Sequence, residues 1–103
     1  MNRNCYLFYG NDHFLIKKET DLVFQENEID LKTVEFYDAE EEGIDAAITS
    51  AMTLPFLADK KGVVIKNALF LAGKTKLADP EAEKLINFCN MKSEETILVI
   101  QVT

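Results

Sequence analysis

The chain has 103 residues, of which 48% are apolar, with only four glycines and two prolines, and this composition suits one small globular domain. The formal net charge of -7 argues against a fragment that grips a phosphate backbone by itself, because such contacts need clustered Lys and Arg. Acidity mainly affects solubility and non-specific binding, so it leaves membership of a DNA-handling complex open.

The sequence also lacks the patterns of export and membrane insertion. Residues 1–10 hold one Arg and an apolar run that is too short for the hydrophobic region of a signal peptide. No apolar stretch approaches the length that spans a membrane. We therefore expect a bacterial-type cytoplasmic location and no membrane partner.

The positions of the two cysteines do not indicate a functional role. Cys5 and Cys89 are far apart in sequence, stand inside apolar runs and lack C-x-x-C spacing. This pattern predicts neither a disulfide framework nor a zinc site. We interpret the pair as two buried thiols.

The chain opens with a predicted strand and a predicted helix. Residues 5–9 form an apolar run that ends at Gly10, which is typical of a strand buried on both faces. Asn11 or Asp12 then caps a helix over residues 13–26. The apolar positions of this helix form two adjacent pairs, one heptad apart: Leu15, Ile16, Leu22 and Val23.

A second strand and a second helix follow. In residues 33–37, Val34 and Phe36 alternate with Glu35, which predicts a half-exposed edge strand. Asp38 and the glutamate three residues later indicate a capped helix start. The core stripe of this helix keeps the i, i+3, i+4 spacing: Ile44, Ala47, Ile48, Ala51 and Met52.

The second half of the chain predicts a strand, a helix and a strand. Contiguous β-branched residues mark a strand over residues 62–66, and a fourth, apolar strand covers residues 96–102. Asp79 and Pro80 suit the start of a third helix between them. The core stripe of that helix is Ala82, Leu85, Ile86 and Cys89.

The order βαβαβαβ predicts a three-layer α/β fold, in which a parallel sheet carries helices on both faces. Residues 1–103 are expected to be one incomplete domain. The chain ends at the close of its fourth strand, and the first strand is too apolar for a sheet edge, so a later strand is expected beside it.

Ligands of parallel sheets bind beyond the carboxyl ends of the strands, and these ends lack a phosphate site. The loop Gly10–His13 has one glycine, a carboxylate and no Lys-Thr, whereas a phosphate loop needs several glycines followed by Lys and Ser/Thr. The later Gly73–Thr75 lacks the required upstream glycine, because residue 68 is Ala68, and helix signals begin only at Asp79. We expect no nucleotide and no other cofactor.

Two further groups have a structural interpretation that we favour. His13, the only histidine, falls in the first turn of a helix beside Asp12, without a nucleophile at a suitable turn. The acidic residues 38–42 suit a divalent cation, but carboxylates in a first turn are also favoured by the helix dipole. We therefore assign no catalytic residue and no metal ligand.

The segment Thr53–Leu57 is the candidate binding site. An amphipathic helix ends here at Pro55, in an apolar loop directly before a basic pair and a strand. Loops are usually polar, so Leu54, Phe56 and Leu57 either pack into the core or form a knob that binds a partner. The sequence physics alone leaves both interpretations open.

Two stretches of the chain carry a resemblance to a known family. The first is Cys5–Asp12, followed by Phe-Leu-Ile at residues 14–16. The second is Ala51–Lys61, followed by the strand Val63–Asn67. Together they resemble the delta subunit family of bacterial DNA polymerase III. The match runs in order across nearly the whole chain, and Thr-Leu-Pro-Phe is its most specific part.

The resemblance implies an AAA+-like domain, akin to P-loop NTPases but without a functional phosphate loop. In this family the domain binds the sliding clamp, the beta ring, and helps to open it for loading onto DNA during replication. The family's apolar contact pair and its neighbours map onto this chain as Leu54 and Phe56, with Met52, Pro55 and Leu57.

The resemblance also implies partners and enzyme status. Besides the clamp, the partners are the other clamp-loader subunits, through a C-terminal part of the subunit, and DNA is met only by the whole complex. The domain is non-catalytic, although it serves the DNA-directed DNA polymerase III holoenzyme, a nucleotidyltransferase. The alternative is a nucleotide-dependent α/β enzyme whose site is completed by residues beyond Thr103.

Overall fold

The computed structural model describes residues 5–53, 60–68, 79–90 and 96–102. In chain order, the elements of these residues are β1 (Cys5–Tyr9), α1 (His13–Glu26), a 3-10 turn (Leu31–Thr33), β2 (Glu35–Asp38), α2 (Ala39–Glu42), α3 (Asp45–Met52), β3 (Lys61–Lys66), α4 (Asp79–Asn90) and β4 (Thr96–Val102). The predicted single helix after Asp38 is two helices, because Gly43, with a φ of 72°, ends α2. None of the described helices is long and apolar enough to cross a membrane.

The four strands form one parallel sheet in the order β1-β4-β3-β2. Leu98 of β4 lies opposite both Cys5 of β1 and Val63 of β3, and Val63 in turn lies opposite Glu35 of β2. The central strands are therefore β4 and β3, which are also the two most buried strands. The predicted α/β fold with a parallel sheet is confirmed.

The sheet separates two apolar clusters, because alternate residues of its central strands point to opposite faces. Helices α3 and α4 cover one face, and the α3/α4 core there consists of Ile44, Ala47, Ile48, Ala51, Val63, Ile65, Ala68, Leu85, Phe88, Leu98, Ile100 and Val102. Helix α1 covers the other face, and the α1 core consists of Val23, Phe24, Ile29, Val64, Ile97 and Val99. Helices on both faces are thus confirmed.

Phe24 and Gly62 bring α1 close to the sheet. Phe24 is almost fully buried, and a Cβ atom added to Gly62 would lie 2.8 Å from its Cε1 atom. The same Cβ would lie 3.1 Å from Cγ2 of Val34. Glycine therefore lets the ring rest on the β3 backbone, where its burial contributes about 1.5–3 kcal/mol.

Half of the predicted core stripe of α1 is wrong, because Leu15 and Leu22 are exposed. The buried positions follow the i, i+4, i+7, i+8 spacing of one helical face: Ile16, Thr20, Val23 and Phe24. Thr20 is tolerated there because its hydroxyl donates to the Ile16 carbonyl at 2.8 Å and accepts from Nε2 of Gln101 at 2.9 Å.

Strand β1 is an edge strand, so the prediction that it is buried on both faces is wrong. Its side chains Tyr6 and Phe8 pack against the α1 core, whereas Leu7 and Tyr9, on the other face, are 56% and 75% exposed. Strand β2 forms the opposite edge, as predicted, and its Phe36 is exposed. Burial in a strand therefore follows its place in the sheet more closely than its own hydrophobicity.

The two later stripes are confirmed in most of their described positions. In α3 the first four predicted residues are buried, and Met52 is exposed. In α4, Leu85 is buried, Cys89 is part-buried and Ile86 is exposed, while the unpredicted Phe88 is almost fully buried. The side chain of Ala82 lies outside the described ones.

Candidate functional site

The predicted binding segment starts at the carboxyl end of α3. Met52, the last residue of that helix, is 53% exposed. The other predicted contact residues, which are Leu54, Pro55, Phe56 and Leu57, lie outside the described residues. Met52 is therefore the one predicted contact residue that the structure positions, and it lies on the surface rather than in the core stripe.

The chain leaves α3 in an extended conformation. Thr53 has φ −85° and ψ 135°, and its amide donates to the Ser50 carbonyl at 3.1 Å. Its hydroxyl donates to the Thr49 carbonyl at 2.8 Å, which satisfies a second carbonyl of the last turn. Helix α3 therefore ends firmly at Met52, before Pro55 is reached.

A polar cluster fixes both sides of the segment between α3 and β3. We call it the Glu35 network, after the carboxylate that accepts from the Tyr37 hydroxyl at 2.7 Å and from the Ser50 hydroxyl at 2.8 Å. The same carboxylate pairs with Nζ of Lys61 at 3.1 Å, and Lys61 also donates to the Ser50 carbonyl at 2.8 Å. Ser50 lies in the last turn of α3 and Lys61 begins β3, so the network spaces these two ends of the connection.

The charge on Glu35 is stabilised in this network. Burial acts to raise the pKa of Glu35, but the hydrogen bonds from Tyr37, Ser50 and Lys61, together with the Lys61 charge, outweigh burial and lower it. The network was not predicted from the sequence, because its members come from β2, α3 and β3 and share no local spacing. The basic pair before β3 was the one available signal.

Capping interactions occupy the helix N-termini that follow β1 and β2. The Asp12 carboxylate accepts from the Leu15 amide at 3.1 Å, so it fills the helix N-terminus where a phosphate would bind. An open cavity of about 240 Å³ lies nearby, lined by His13, Ile16, Lys17, Phe36, Lys66 and Gln101. It offers basic side chains but no glycine-rich backbone.

The acidic run after β2 also acts as a cap. Asp38 accepts from the amides of Glu40 and Glu41 at 2.9 and 3.4 Å, and from Nδ2 of Asn67 at 2.8 Å. Its own amide donates to Glu42 at 3.0 Å, so the reciprocal partner is Glu42 and not the predicted Glu41. Within the described ranges, no three His, Cys, Asp or Glu side chains are grouped so as to hold a metal ion.

Comparison with known proteins identifies the family. The family model for the DNA polymerase III delta subunit matches residues 6–103. The chain belongs to the DNA polymerase III delta subunit family. It is 35% identical to DNA polymerase III subunit delta of Bacillus subtilis (strain 168) over 75 residues, which cover 69% of this chain and 21% of that protein.

The fold of this delta-family chain matches a solved structure as well. The Bacillus subtilis DNA clamp loader delta protein superimposes with a TM-score of 0.77 at 26% sequence identity. The match covers 96% of this chain and 31% of that one. The delta-family chain thus spans about a fifth to a third of the length of these relatives.

The Glu35 network predicts a pH-dependent contribution to stability. Because the pKa of folded Glu35 is lowered, its contribution is complete above the ordinary value of 4.5 and disappears as the pH falls through the folded pKa. At pH 7, Glu35→Gln should lower the free energy of unfolding by up to about 1 kcal/mol, a small value because solvent screens a partly exposed carboxylate. Urea unfolding followed by circular dichroism, at pH 7 and at pH 3, measures the difference.

Glu19→Gln is the matched control, since it makes the same change on the exposed surface of α1. The difference between wild type and Glu35→Gln should shrink at pH 3, whereas the small effect of Glu19→Gln should not change in the same way. A Glu35→Gln effect of equal size at both pH values would show that the charge contributes nothing.

The capping carboxylates predict that the domain does not bind magnesium-ATP. Isothermal titration calorimetry should show no binding heat at micromolar to millimolar nucleotide, because the described part of the chain offers no backbone cradle for the phosphates. Micromolar binding would contradict this prediction. Its loss in Lys74→Ala would then place the nucleotide at Gly73–Thr75, and its loss in Lys66→Ala would place it in the cavity beside α1.

Proposed function

We propose that this domain binds the sliding clamp and helps to open it during DNA replication, as a non-catalytic part of a clamp loader. The observation that carries the proposal is the exposed apolar end of α3 at Met52, which leads into Thr-Leu-Pro-Phe in a chain whose family match covers residues 6–103. A binding function fits a protein whose strand ends are closed by Asp12 and Asp38.

Leu54 and Phe56 are the proposed anchors, with Met52, Pro55 and Leu57 beside them. The buried stripe of α3 ends at Ala51, and the next residue is already exposed, so the following apolar residues have no need to fold inward. Pro55 restricts the backbone between the anchors, which reduces the conformational entropy lost on docking. The Glu35 network reduces that loss further by spacing the ends of the connection.

We also propose the fold type, the location, the partners and the enzyme status of the domain from its family. The fold is AAA+-like without a functional phosphate loop, and the domain works in the cytoplasm. Its partners are the clamp ring and, through a C-terminal part of the subunit, the other clamp-loader subunits, while DNA is met by the whole complex. The polymerase III holoenzyme carries the nucleotidyltransferase activity, and this domain does not.

Residues 1–103 are proposed to be an N-terminal domain that is incomplete by itself. The support comes from β1, where Leu7 and Tyr9 are exposed and one edge is unpaired by any described residue. An apolar strand with a free edge pairs readily with another chain. A further strand of the same subunit beside β1 would pair that edge, and its side chains would flank Leu7 and Tyr9 on the same face of the sheet.

The free edge of β1 predicts self-association of residues 1–103. At concentrations of about 100 μM or more, comparable to those at which exposed edges aggregate, the chain should form dimers or larger species in sedimentation experiments. A chain extended past Thr103 should be monomeric and should unfold at a higher urea concentration. A monomeric 103-residue chain that is as stable as the extended one would contradict the proposal.

The anchors predict a separation of binding from stability. In the double variant Leu54→Ala, Phe56→Ala, affinity for the cognate clamp should fall about thirtyfold or more, because truncating one central anchor typically costs about 2 kcal/mol. Thermal unfolding should stay near that of wild type. If the side chains were core instead, each substitution would cost about 2–5 kcal/mol in stability.

Phe14→Ala is the matched control, because Phe14 is an exposed aromatic residue on α1, on the opposite face of the sheet from α3. Clamp capture and affinity should be unchanged in this variant. Clamp binding retained by the double variant while it melts early would mean that Leu54 and Phe56 are core residues. Equal loss of binding in Phe14→Ala would place the clamp on α1.

A further inference from the structure

The two cysteines meet, although 84 positions separate them in sequence. The Sγ atoms of Cys5 and Cys89 lie 2.6 Å apart, only slightly more than the length of a disulfide bond, about 2.05 Å. Both residues are free thiols and both are part-buried. The two thiols predicted from the sequence to be buried are therefore part-buried and adjacent.

The fold itself brings the pair together. Cys5 begins β1 and faces the same side of the sheet as the exposed Leu7, and Cys89 lies in the last turn of α4. Both pack against the margin of the α3/α4 core. Rigid elements on both sides thus hold the sulfur atoms in place, and bond formation needs only a small movement of the side chains.

We propose that Cys5 and Cys89 are an oxidation site, at which a hydroperoxide converts two thiols into a disulfide that ties β1 to α4. Neither cysteine is fully buried, so a small peroxide can reach the pair from solvent. In a reducing cytoplasm such a pair stays reduced at rest, and disulfides that form there are usually transient. The site is therefore a reversible modification site.

The contact between the two thiols favours reaction of the pair. Either sulfur atom can be the donor of this contact, which raises the pKa of one thiol and lowers the pKa of the other. The thiol with the lowered pKa forms the thiolate, which is the nucleophilic form of cysteine, and its neighbour keeps its proton. One cysteine therefore attacks the peroxide, and the other resolves the product.

The reaction balances with hydrogen peroxide as the oxidant. The thiolate of one cysteine attacks one peroxide oxygen, the O–O bond breaks, and hydroxide leaves to give a sulfenic acid. The sulfur of the other cysteine then attacks the sulfenic sulfur, the S–O bond breaks, and the hydroxyl group leaves as water with the proton of the second thiol. In total the two thiols lose two electrons and two protons, and the peroxide becomes two waters.

Hydrogen peroxide treatment of the purified chain tests the proposal. The oxidised chain should stay monomeric under denaturing, non-reducing conditions, lose both sites of maleimide labelling, and yield a Cys5–Cys89 cross-linked peptide by mass spectrometry. Because the bond closes a loop of more than 80 residues, Tm should rise by at least about 5 °C, and dithiothreitol should reverse every change.

Single serine variants test the sulfenic acid step. In Cys5→Ser and in Cys89→Ser a sulfenic acid on the remaining cysteine cannot be resolved, so dimedone should label at least one of the two variants after peroxide treatment, and circular dichroism checks that both variants fold. Full maleimide labelling of the wild-type chain after peroxide treatment, disulfides only between chains, or no dimedone labelling of either variant would overturn the proposal.

Discussion

The structure depends on two strands that are apolar on both faces. Since β3 and β4 are nearly fully buried, each face of the sheet must be covered by helices, and a parallel sheet supplies these helices in its connections. Helix α1 covers one face, with Phe24 resting on Gly62, and α3 and α4 cover the other. This arrangement fixes α3 beside β3, and it thereby fixes where the connection between them starts and ends.

Much of the fold could be predicted because its signals are local. The bounds of β1, α1 and β4 follow from runs of apolar residues, a capping aspartate and the 3.6-residue period, and all of these lie within one segment. Local signals do not determine which elements contact one another. The place of β1 at an edge of the sheet leaves Leu7 and Tyr9 exposed. The buried face of α1 is also rotated from the predicted one, so that Phe24 is buried and Leu15 is exposed.

In the candidate site, too, local features could be predicted from the sequence and contacts between distant elements could not. The apolar segment after α3 could be identified from the sequence, because Pro55 and a run of apolar residues stand where a polar loop is usual. The Glu35 network could not, since its members come from three elements and meet only when the sheet is assembled. The contact of Cys5 with Cys89 was missed for the same physical reason.

The position of the site agrees with a function without chemistry. Small ligands of parallel sheets use the carboxyl ends of the strands, where loops and helix N-termini converge. In this chain Asp12 and Asp38 cap those helix starts. The Glu35 network lies at the opposite edge, because Glu35 and Lys61 are the first residues of β2 and β3. The protein partner proposed above needs no convergent amides, but it does need a contact segment whose ends are held by a rigid frame. The amino edge of the sheet, with the end of α3 fastened to β2 and β3, provides such a frame.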